Sequence, residues 1–367
     1  MRLATTIRGF VPVMALAVSA WAVSAPAPAS AEGKGGEDGG VSQSPVPCGD
    51  PAALVAAVAA ANSAPGGGTV VLATGCVYTL GSAAATGANG PDGLPVITGD
   101  VTITGTQATI RRSASAADFR IAEVAAGGKL TVHGVTLSDG RATSGAGTDG
   151  GGILDLGTLR MVRSTVTGNT ASNVGGGIEV ASGATAQLTS TDVTHNTALD
   201  GGGIHISTSA TLTVTSGTIS DNLAGSSGGG IANYGTTLLS SVTVERNRTT
   251  NFEGGGIVTG IGDLTINGSR VLGNTAGSFG GGIANMGSTL RVQSTVVSGN
   301  IATLNGGGLF NHAGTAQLTG DNVIGNTANG GQGGGIFVDG GSVALTATTV
   351  SGNNPNNCVP ALAGCSV

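Results

Sequence analysis

Residues 201–222 read GGGIHISTSATLTVTSGTISDN, and this stretch contains the features that recur along much of the chain. Three glycines and an Ile come first, Thr and Ser then alternate with Leu, Val and Ile, and an Asn closes the stretch. Alternating apolar and polar residues with many β-branched side chains are typical of short β-strands, not of helices. Glycine and Asn tolerate sharp backbone bends, so the stretch predicts strands separated by bends.

The pattern repeats at nearly constant spacing. Triple glycines begin at Gly150, Gly175, Gly201, Gly228, Gly254, Gly280, Gly306 and Gly333. An asparagine recurs in step with them, at Asn169, Asn196, Asn222, Asn247, Asn274, Asn300, Asn326 and Asn353. Each repeat also keeps three apolar positions, such as Ile204, Val214 and Ile219. A period of about 26 residues with three short strands is one turn of a solenoid, because a single turn cannot bury its own apolar face.

The sequence therefore predicts an all-β fold, a single-stranded right-handed parallel β-helix of the pectate-lyase-like kind. Successive turns should lie about 4.8 Å apart, the usual distance between paired strands. Parallel crossovers favour the right-handed winding. Stacked turns would align the asparagines into an internal ladder, so we interpret both the asparagines and the glycines as structural, with ligand binding as the alternative.

A secretory signal peptide is predicted at residues 1–31. Arg2 and Arg8 precede a mostly apolar stretch, and the sequence at 29–31, Ala-Ser-Ala, has the small-x-small pattern of a cleavage site. We therefore expect a secreted, extracellular or cell-surface protein whose mature chain is not inserted in a membrane.

Changes of pattern divide the rest of the chain. The segments are a disordered lead at 32–47, an N-terminal cap helix with irregular first coils at 48–140, regular coils at 141–353 and a C-terminal cap tail at 354–367. The cap helix should begin after Asp50, a good N-cap, with Pro51 at its first position.

Four cysteines, at positions 48, 76, 358 and 365, allow three pairings. We favour Cys48–Cys76 and Cys358–Cys365, because each pair lies at one end of the repeats and an exported protein can keep disulfides. Other pairings and free thiols are the alternatives.

The paired motifs, Gly-Gly-Gly-Ile at 201–204 and Ile-Ser-Asp-Asn at 219–222, resemble the repeats of chlamydial polymorphic outer membrane proteins. In those proteins the pattern is Gly-Gly-Ala-Ile with Phe-x-x-Asn, and here Val, Ile or a similar residue replaces the Phe. The resemblance covers roughly residues 130–353. The stretch from Cys48 to Leu80 is similar to the cap of secreted bacterial β-helix repeat proteins. Both resemblances imply a fold but no particular activity, and because no autotransporter barrel is expected, the membrane anchoring of the chlamydial proteins is not implied.

The low content of basic residues argues against two classes of binding partner. Charged residues make up 9% of the chain, the formal net charge is −6, and Lys occurs only at positions 34 and 129. Nucleic acids and anionic membranes attract proteins through basic patches, so neither is expected as a partner. We expect a monomer without a cofactor, with an extracellular glycan or cell-surface component as its partner.

One column of charged residues is a candidate for catalysis. His195, Asp221 and Arg246 directly precede ladder asparagines in three consecutive turns, with Asp192 and Glu245 close by. An imidazole, a carboxylate and a guanidinium about 5 Å apart would supply an acid or base and hold a uronate. Only in that case is Ca²⁺ expected as a cofactor. The alternative is a surface charge ladder in which opposite charges lie side by side.

Glu179 and His205 directly follow the repeat Ile on adjacent turns. We expect them to point outward as an exposed ion pair, the alternative being a His–carboxylate dyad that binds ligand. The most basic region, around Arg111, Arg112 and Arg120, is a candidate for binding an acidic glycan, and the alternative is that these arginines pair with Asp118 and Glu123. The aromatic residues of the repeats that are candidates for stacking on sugars are Tyr234, Phe252, Phe279, Phe310 and Phe337.

The leading functional hypothesis is a non-catalytic secreted or cell-surface scaffold of the adhesion or glycan-binding type. The alternative is a carbohydrate-active enzyme, a polysaccharide lyase or glycoside hydrolase that acts on an acidic polysaccharide. A third hypothesis, an ice-like surface binder, requires long unbroken ranks of Thr, whereas the outward columns here are mixed.

Overall fold

The structure is a computed structural model, and it describes residues 44–145 and 147–365. The predicted signal peptide and most of the predicted disordered lead lie outside the described residues. Val46 is buried and pairs with Leu72, so residues 44–47 belong to the fold and not to a disordered lead.

The predicted parallel β-helix is confirmed. Each regular turn contributes four short strands, which pair in parallel with the strands of the turns before and after it. Within the described residues the strands form sheet 1 with 20 strands, sheet 2 with 8 and sheet 3 with 10. In one turn the chain passes through Ile204–Ile206 in sheet 3, Thr211–Thr215 and Thr218–Ser220 in sheet 1, and Leu223–Ala224 in sheet 2.

In the regular turns, two strands of sheet 1 follow each strand of sheet 3 along the chain. They are Gly68–Val71, Val77–Leu80, Asp100–Arg112, Lys129–Ser138, Thr158–Val162, Thr165–Thr167, Thr185–Thr189, Asp192–Thr194, Thr211–Thr215, Thr218–Ser220, Thr236–Ser240, Thr243–Glu245, Asp263–Asn267, Arg270–Leu272, Thr289–Gln293, Val296–Ser298, Thr315–Thr319, Asn322–Ile324, Ser342–Thr346 and Thr349–Ser351.

Sheets 2 and 3 are built from shorter strands. Those of sheet 2 are Arg141–Ala142, Thr170–Ala171, Thr197–Ala198, Leu223–Ala224, Arg248–Thr249, Thr275–Ala276, Ile301–Ala302 and Thr327–Ala328. Those of sheet 3 are Ala122–Val124, Ile153–Asp155, Ile178–Val180, Ile204–Ile206, Ile231–Asn233, Ile257–Thr259, Ile283–Asn285, Leu309–His312, Ile336–Asp339 and Cys358–Val359. A separate antiparallel pair joins Ala85–Gly87 to Gly90–Asp92.

The core lies inside the winding. Alternate side chains of each strand point inward, and Leu212, Val214 and Ile219 are fully buried. Ile204 lies in register between Ile178 and Ile231 of the neighbouring turns, so one apolar column is continuous along the helix axis. Each such side chain contributes about 1.5–3 kcal/mol by leaving water.

The asparagines form a buried ladder of hydrogen bonds at the bend between sheets 1 and 2. The backbone N–H and the side-chain Nδ2 of Asn222 both donate to Oδ1 of Asn247, at 3.0 and 2.9 Å, and Nδ2 also donates to the carbonyl oxygen of Val193 at 2.9 Å. The same pattern links each neighbouring pair from Asn169 to Asn353. Polar groups at the bend are therefore satisfied without water.

The triple glycines are close-approach positions, and Gly201–Gly203 illustrates why. Gly201 has φ +61°, and a Cβ there would lie 2.8 Å from Cβ of His205. A Cβ on Gly202 would lie 2.5 Å from the carbonyl oxygen of Leu223, and one on Gly203 would lie 3.0 Å from Nδ2 of Asn222. The motif thus lets the chain pass between the ladder and the outer face of sheet 3.

The N-terminal end of the core is covered by the predicted cap helix, Pro51–Ser63. Asp50 accepts the N–H of Ala53 at 2.9 Å, as an N-cap should. Leu54 and Val58 are fully buried in the core cluster. The disulfide Cys48–Cys76 ties this cap to the first strands, as predicted.

The C-terminal tail extends sheet 3 and then covers the end of the core. Cys358 and Val359 pair with Ile336 and Phe337, and Leu362 packs against the core. The predicted disulfide Cys358–Cys365 closes the tail. Among the described residues, no helix is long and apolar enough to cross a membrane.

Candidate functional site

The predicted column of His195, Asp221 and Arg246 lies at an exposed bend beside the asparagine ladder. Arg246 donates from Nε and Nη2 to the two carboxylate oxygens of Asp221, at 2.9 and 3.0 Å. It also donates from Nη1 to Glu245 at 2.5 Å. These hydrogen bonds lower the pKa of the Asp221 carboxyl. The guanidinium side chain is 57% exposed, so the structure brings these groups together as a surface ion-pair network.

The two other residues predicted for this region, His195 and Asp192, have different surroundings. The side chain of His195 is exposed in the turn before Asp221. Asp192 is half-buried and accepts the backbone N–H of Thr218 on the next turn at 2.9 Å.

The expectation that Glu179 and His205 form an exposed ion pair is wrong. The two residues are 3% and 8% exposed, and His205 Nδ1 and Glu179 Oε2 share a hydrogen bond of 2.6 Å. They do point outward from sheet 3. However, the turn before each triple glycine folds back over that face, as the close approach of Gly201 to His205 shows.

Around this pair lies a buried polar network. Ser207 donates to the second carboxylate oxygen of Glu179 at 2.8 Å. The Tyr234 hydroxyl donates to Asp200 Oδ2 at 2.9 Å, and the Tyr234 ring lies 5.3 Å from the His205 ring. The two hydrogen-bonded pairs, Glu179–His205 and Tyr234–Asp200, are therefore neighbours through the His205 and Tyr234 rings.

Burial and charge shift the titration of this network. Burial alone would lower the pKa of His205, but the hydrogen bond and charge of Glu179 raise it overall, with Asp200 adding to the effect. Burial raises the pKa of Asp200, against the opposing charge of His205 and the hydrogen bond from Tyr234. Burial and Asp200 together raise the pKa of Tyr234. Perturbed groups gathered in one cleft are a common feature of functional sites.

The network is one end of a longer surface, which we call the sheet 3 groove. Its floor is the outward column of sheet 3, whose members lie in register on successive turns. They are Glu179, His205, Ala232, Val258, Ala284, Phe310 and Phe337. Every member except Phe337 is buried, and at the aromatic end residues before the triple glycines and after the strands stand around a cavity. Six steps of about 4.8 Å give the floor a length of roughly 29 Å.

The other end of the groove is aromatic. The Phe310 ring lies 4.6 Å from that of Phe279 and 5.9 Å from that of Phe337, and both pairs are stacked. His312 Nδ1 shares a hydrogen bond of 2.9 Å with Asp339 at the edge of the stack.

A cavity of about 350 Å³ lies at this aromatic end. It is lined by Glu253, Phe279, Met286, Asn305, Phe310, His312, Phe337 and Asp339. The charge of Glu253 also adds to the raised pKa of Tyr234, after burial and Asp200.

Four of the five aromatic candidates from the sequence meet at this groove, and Phe252 does not line the cavity. Sequence reasoning missed the roles of Asp200, Met286 and Asp339. The signal that could have found the groove was the shared position of Glu179, His205, Phe310 and Phe337, each directly after a repeat Ile or Leu.

Comparisons with known proteins address the fold. None of the curated proteins matches the chain. A solved structure, the A-module of the mannuronan C-5 epimerase AlgE6 from Azotobacter vinelandii, is similar with 15% sequence identity and a TM-score of 0.38, covering 86% of this chain and 93% of that chain. Residues 153–323 match the family model described as the right handed beta helix region, in agreement with the predicted right-handed winding.

Proposed function

We propose that this protein is an extracellular glycan-binding protein and that the sheet 3 groove holds a neutral glycan. The observation that carries the proposal is the cavity of about 350 Å³ in which three stacked Phe rings stand beside carboxylates, a histidine and an asparagine. Ligand sites are typically concave and largely apolar, with a few polar groups that fix the ligand. Sugar rings present apolar faces to aromatic side chains and hydroxyls to the polar groups around them.

The charge of the groove supports a neutral ligand. Glu253 and Asp339 line the cavity, and Glu179 and Asp200 lie in the polar network at the other end of the groove. No Arg or Lys is among the described residues that line the cavity. An acidic polysaccharide would place its carboxylates against these acidic side chains, which is unfavourable in a partly dry site.

Export to an oxidising compartment is part of the same proposal. The basic and apolar pattern at 1–31 supports it, as do the two disulfides, which rarely persist in the cytosol.

The groove is tested by calorimetric titration with neutral glucan, mannan and chitin oligosaccharides. We expect at least one series to bind and Phe337→Ala to weaken it about tenfold, because a lost aromatic contact is worth about 1 kcal/mol or more. Asp339→Asn, at an exposed side chain, should weaken binding without affecting the fold. Ile324→Ala, an apolar truncation on sheet 1, is the control and should not change affinity. Absence of binding by every series, or equal loss in all three variants, would refute the groove as a glycan site.

The 2.6 Å contact between Glu179 and His205 favours a second candidate, a glycan-cleaving enzyme. A carboxylate that orients an imidazole is an arrangement that can move a proton to or from a sugar. The test is a lyase and hydrolase screen on neutral and acidic polysaccharides, with and without Ca²⁺. Turnover that His205→Gln abolishes, while oligosaccharide binding persists, would establish the enzyme. Binding without turnover would support the glycan-binding function and contradict the enzyme.

A further inference from the structure

We propose that a second, basic cavity in the first turns binds an oxyanion, a carboxylate or sulfate carried by a saccharide. The cavity measures about 590 Å³, and its lining includes Thr79, Arg111, Arg112, Asp139 and Arg141. It shares no lining residue with the cavity of the sheet 3 groove, so it is independent of the function proposed for that groove.

Arg112 is a buried cation without a counter-ion. It is 8% exposed, and it donates from Nε to the carbonyl oxygen of Asp139 at 2.9 Å and from Nη1 to those of Ser113 and Ala116 at 2.9 and 2.8 Å. In the described part of the chain, no carboxylate lies within 4 Å of its guanidinium nitrogens. Neutral carbonyls fix the orientation of this guanidinium but leave its charge uncompensated, which is costly in a buried position.

Two more guanidinium groups face the same space with hydrogen atoms to spare. Arg111 donates from Nε to Thr79 Oγ1 at 3.1 Å, and its two terminal nitrogens have no partner among the described residues. Arg141 uses Nε in its ion pair with Asp118 at 3.1 Å. Terminal guanidinium nitrogens are the donors that hold carboxylate and sulfate oxygens in pairs.

The local charge is unusual for this chain. Three Arg and one Asp line the cavity, a net charge of +2, whereas the whole chain has a net charge of −6. Asp139 is the one acidic group of the lining, and its carboxylate accepts a hydrogen bond from Ser138 at 2.9 Å. Asp118, which pairs with Arg141 from outside the lining, reduces the excess to +1, and a ligand with one negative charge would balance it.

The sequence explains why the cavity occurs here and not in the later turns. The chain leaves the sheet after Arg112, and residues 113–118 form an irregular loop between Arg112 and Phe119. Gly140 and Gly168, which also line the cavity, have no side chains to fill it. Its volume is in the range of small-molecule sites, which is why we infer a sugar-borne oxyanion and not an isolated ion.

Titration calorimetry at constant ionic strength tests this cavity with sodium glucuronate, sodium sulfate and uncharged glucose. We expect glucuronate to bind and glucose not to bind. Arg111→Gln and Arg141→Gln, both at exposed side chains, should each weaken glucuronate binding about tenfold, because a charge-assisted hydrogen bond is lost. Arg291→Gln on sheet 1 makes the same change of charge away from the cavity and should leave affinity within about twofold.

The outcomes separate the sources of the oxyanion. Glucuronate binding tighter than sulfate supports a sugar-borne group, and equal affinities support the oxyanion alone. Absence of binding by both anions, or an Arg291→Gln effect as large as that of Arg111→Gln, would overturn the site. Phe337→Ala should leave glucuronate binding unchanged, so failure here is distinguishable from failure of the glycan groove.

Discussion

The residue before each ladder asparagine has a left-handed backbone. Its φ values at His195, Asp221 and Arg246 are 56°, 57° and 52°. The same position is glycine in the turns that contain Gly168, Gly273, Gly299, Gly325 and Gly352. A side chain in this region costs roughly 1–2 kcal/mol, so the charged column lies where the winding itself favours glycine.

His195→Gly is therefore expected to be more stable than His195→Ala by about 1 kcal/mol, because both remove the imidazole and only Gly adopts the positive φ freely. Thermal unfolding of the two variants measures the difference. A more stable Ala variant would contradict the proposed backbone requirement.

The pKa of His205 is a second property that depends on individual residues, chiefly on its partner Glu179. Burial would lower the pKa of His205, yet Glu179 raises it, so the protonated imidazole is favoured in the fold. A raised histidine pKa gives stability that is present below the unfolded value of about 6.5 and is lost as pH rises through the folded value.

Glu179→Gln should lower the pKa of His205, since the main charge that offsets burial is removed. An NMR titration of the imidazole signals measures this change. Glu245→Gln, at the exposed ion-pair network, is the matched control and should leave His205 unchanged. An unaltered His205 pKa in Glu179→Gln would show that the buried pair is not what sets it.

At the scale of elements, the asparagine ladder adds buried side-chain hydrogen bonds to the parallel backbone pairing that joins neighbouring turns. Oδ1 of Asn247 accepts two hydrogen bonds from Asn222, and its Nδ2 donates to the carbonyl oxygen of Ile219 at 2.8 Å. Removing one amide leaves several buried groups without partners, each costing about 1–3 kcal/mol.

Asn247→Ala is expected to destabilise the protein by on the order of 3 kcal/mol, and the loss should be local because solenoid turns contact mainly their neighbours. Hydrogen exchange of the turns around Asn222 and Asn274 measures it. The exposed Asn329→Ala should have little effect. Equal protection in both variants would mean that the ladder does not stabilise the bend.

At the scale of the whole molecule, several carboxyls are buried inside the winding. Burial raises the pKa of Asp155 to about 7 and that of Asp321 to about 6, and one oxygen of each has no hydrogen-bond partner among the described residues. A raised Asp pKa gives stability that is full below the unfolded value of 3.8 and is lost as pH rises through the folded value. Stability should therefore fall between about pH 4 and about pH 7.

Asp155→Asn should reduce this pH dependence and stabilise the protein at about pH 7.5, by up to roughly 4 kcal/mol. Asn already occupies the same inward column at Asn233, Asn285 and Asn311, so the amide suits the site. Calorimetric unfolding at about pH 4.5 and about pH 7.5 measures the difference. Asp263→Asn, at an exposed carboxylate, should leave the pH dependence intact. A wild-type protein more stable at the higher pH would contradict the sign.

The sequence alone determined the winding, because the fold depends on a pattern that repeats. The spacing of residues such as Gly201 and Asn222 predicted the solenoid, its bends and the ladder. Asp50 and Pro51 predicted the cap helix, and the positions of the cysteines predicted both disulfides.

Only the tertiary structure decided which outward side chains are covered. Sequence alternation places Glu179 and His205 outside the winding but does not show that the segment before each triple glycine folds back over that face. It likewise could not bring Tyr234 to Asp200, or assemble Arg111, Arg112 and Arg141 around one cavity, because these contacts depend on how side chains of different turns pack. The repeated residues determine the scaffold through periodic backbone pairing. Both candidate binding sites instead depend on side chains whose type differs from turn to turn and whose burial is set by neighbouring turns.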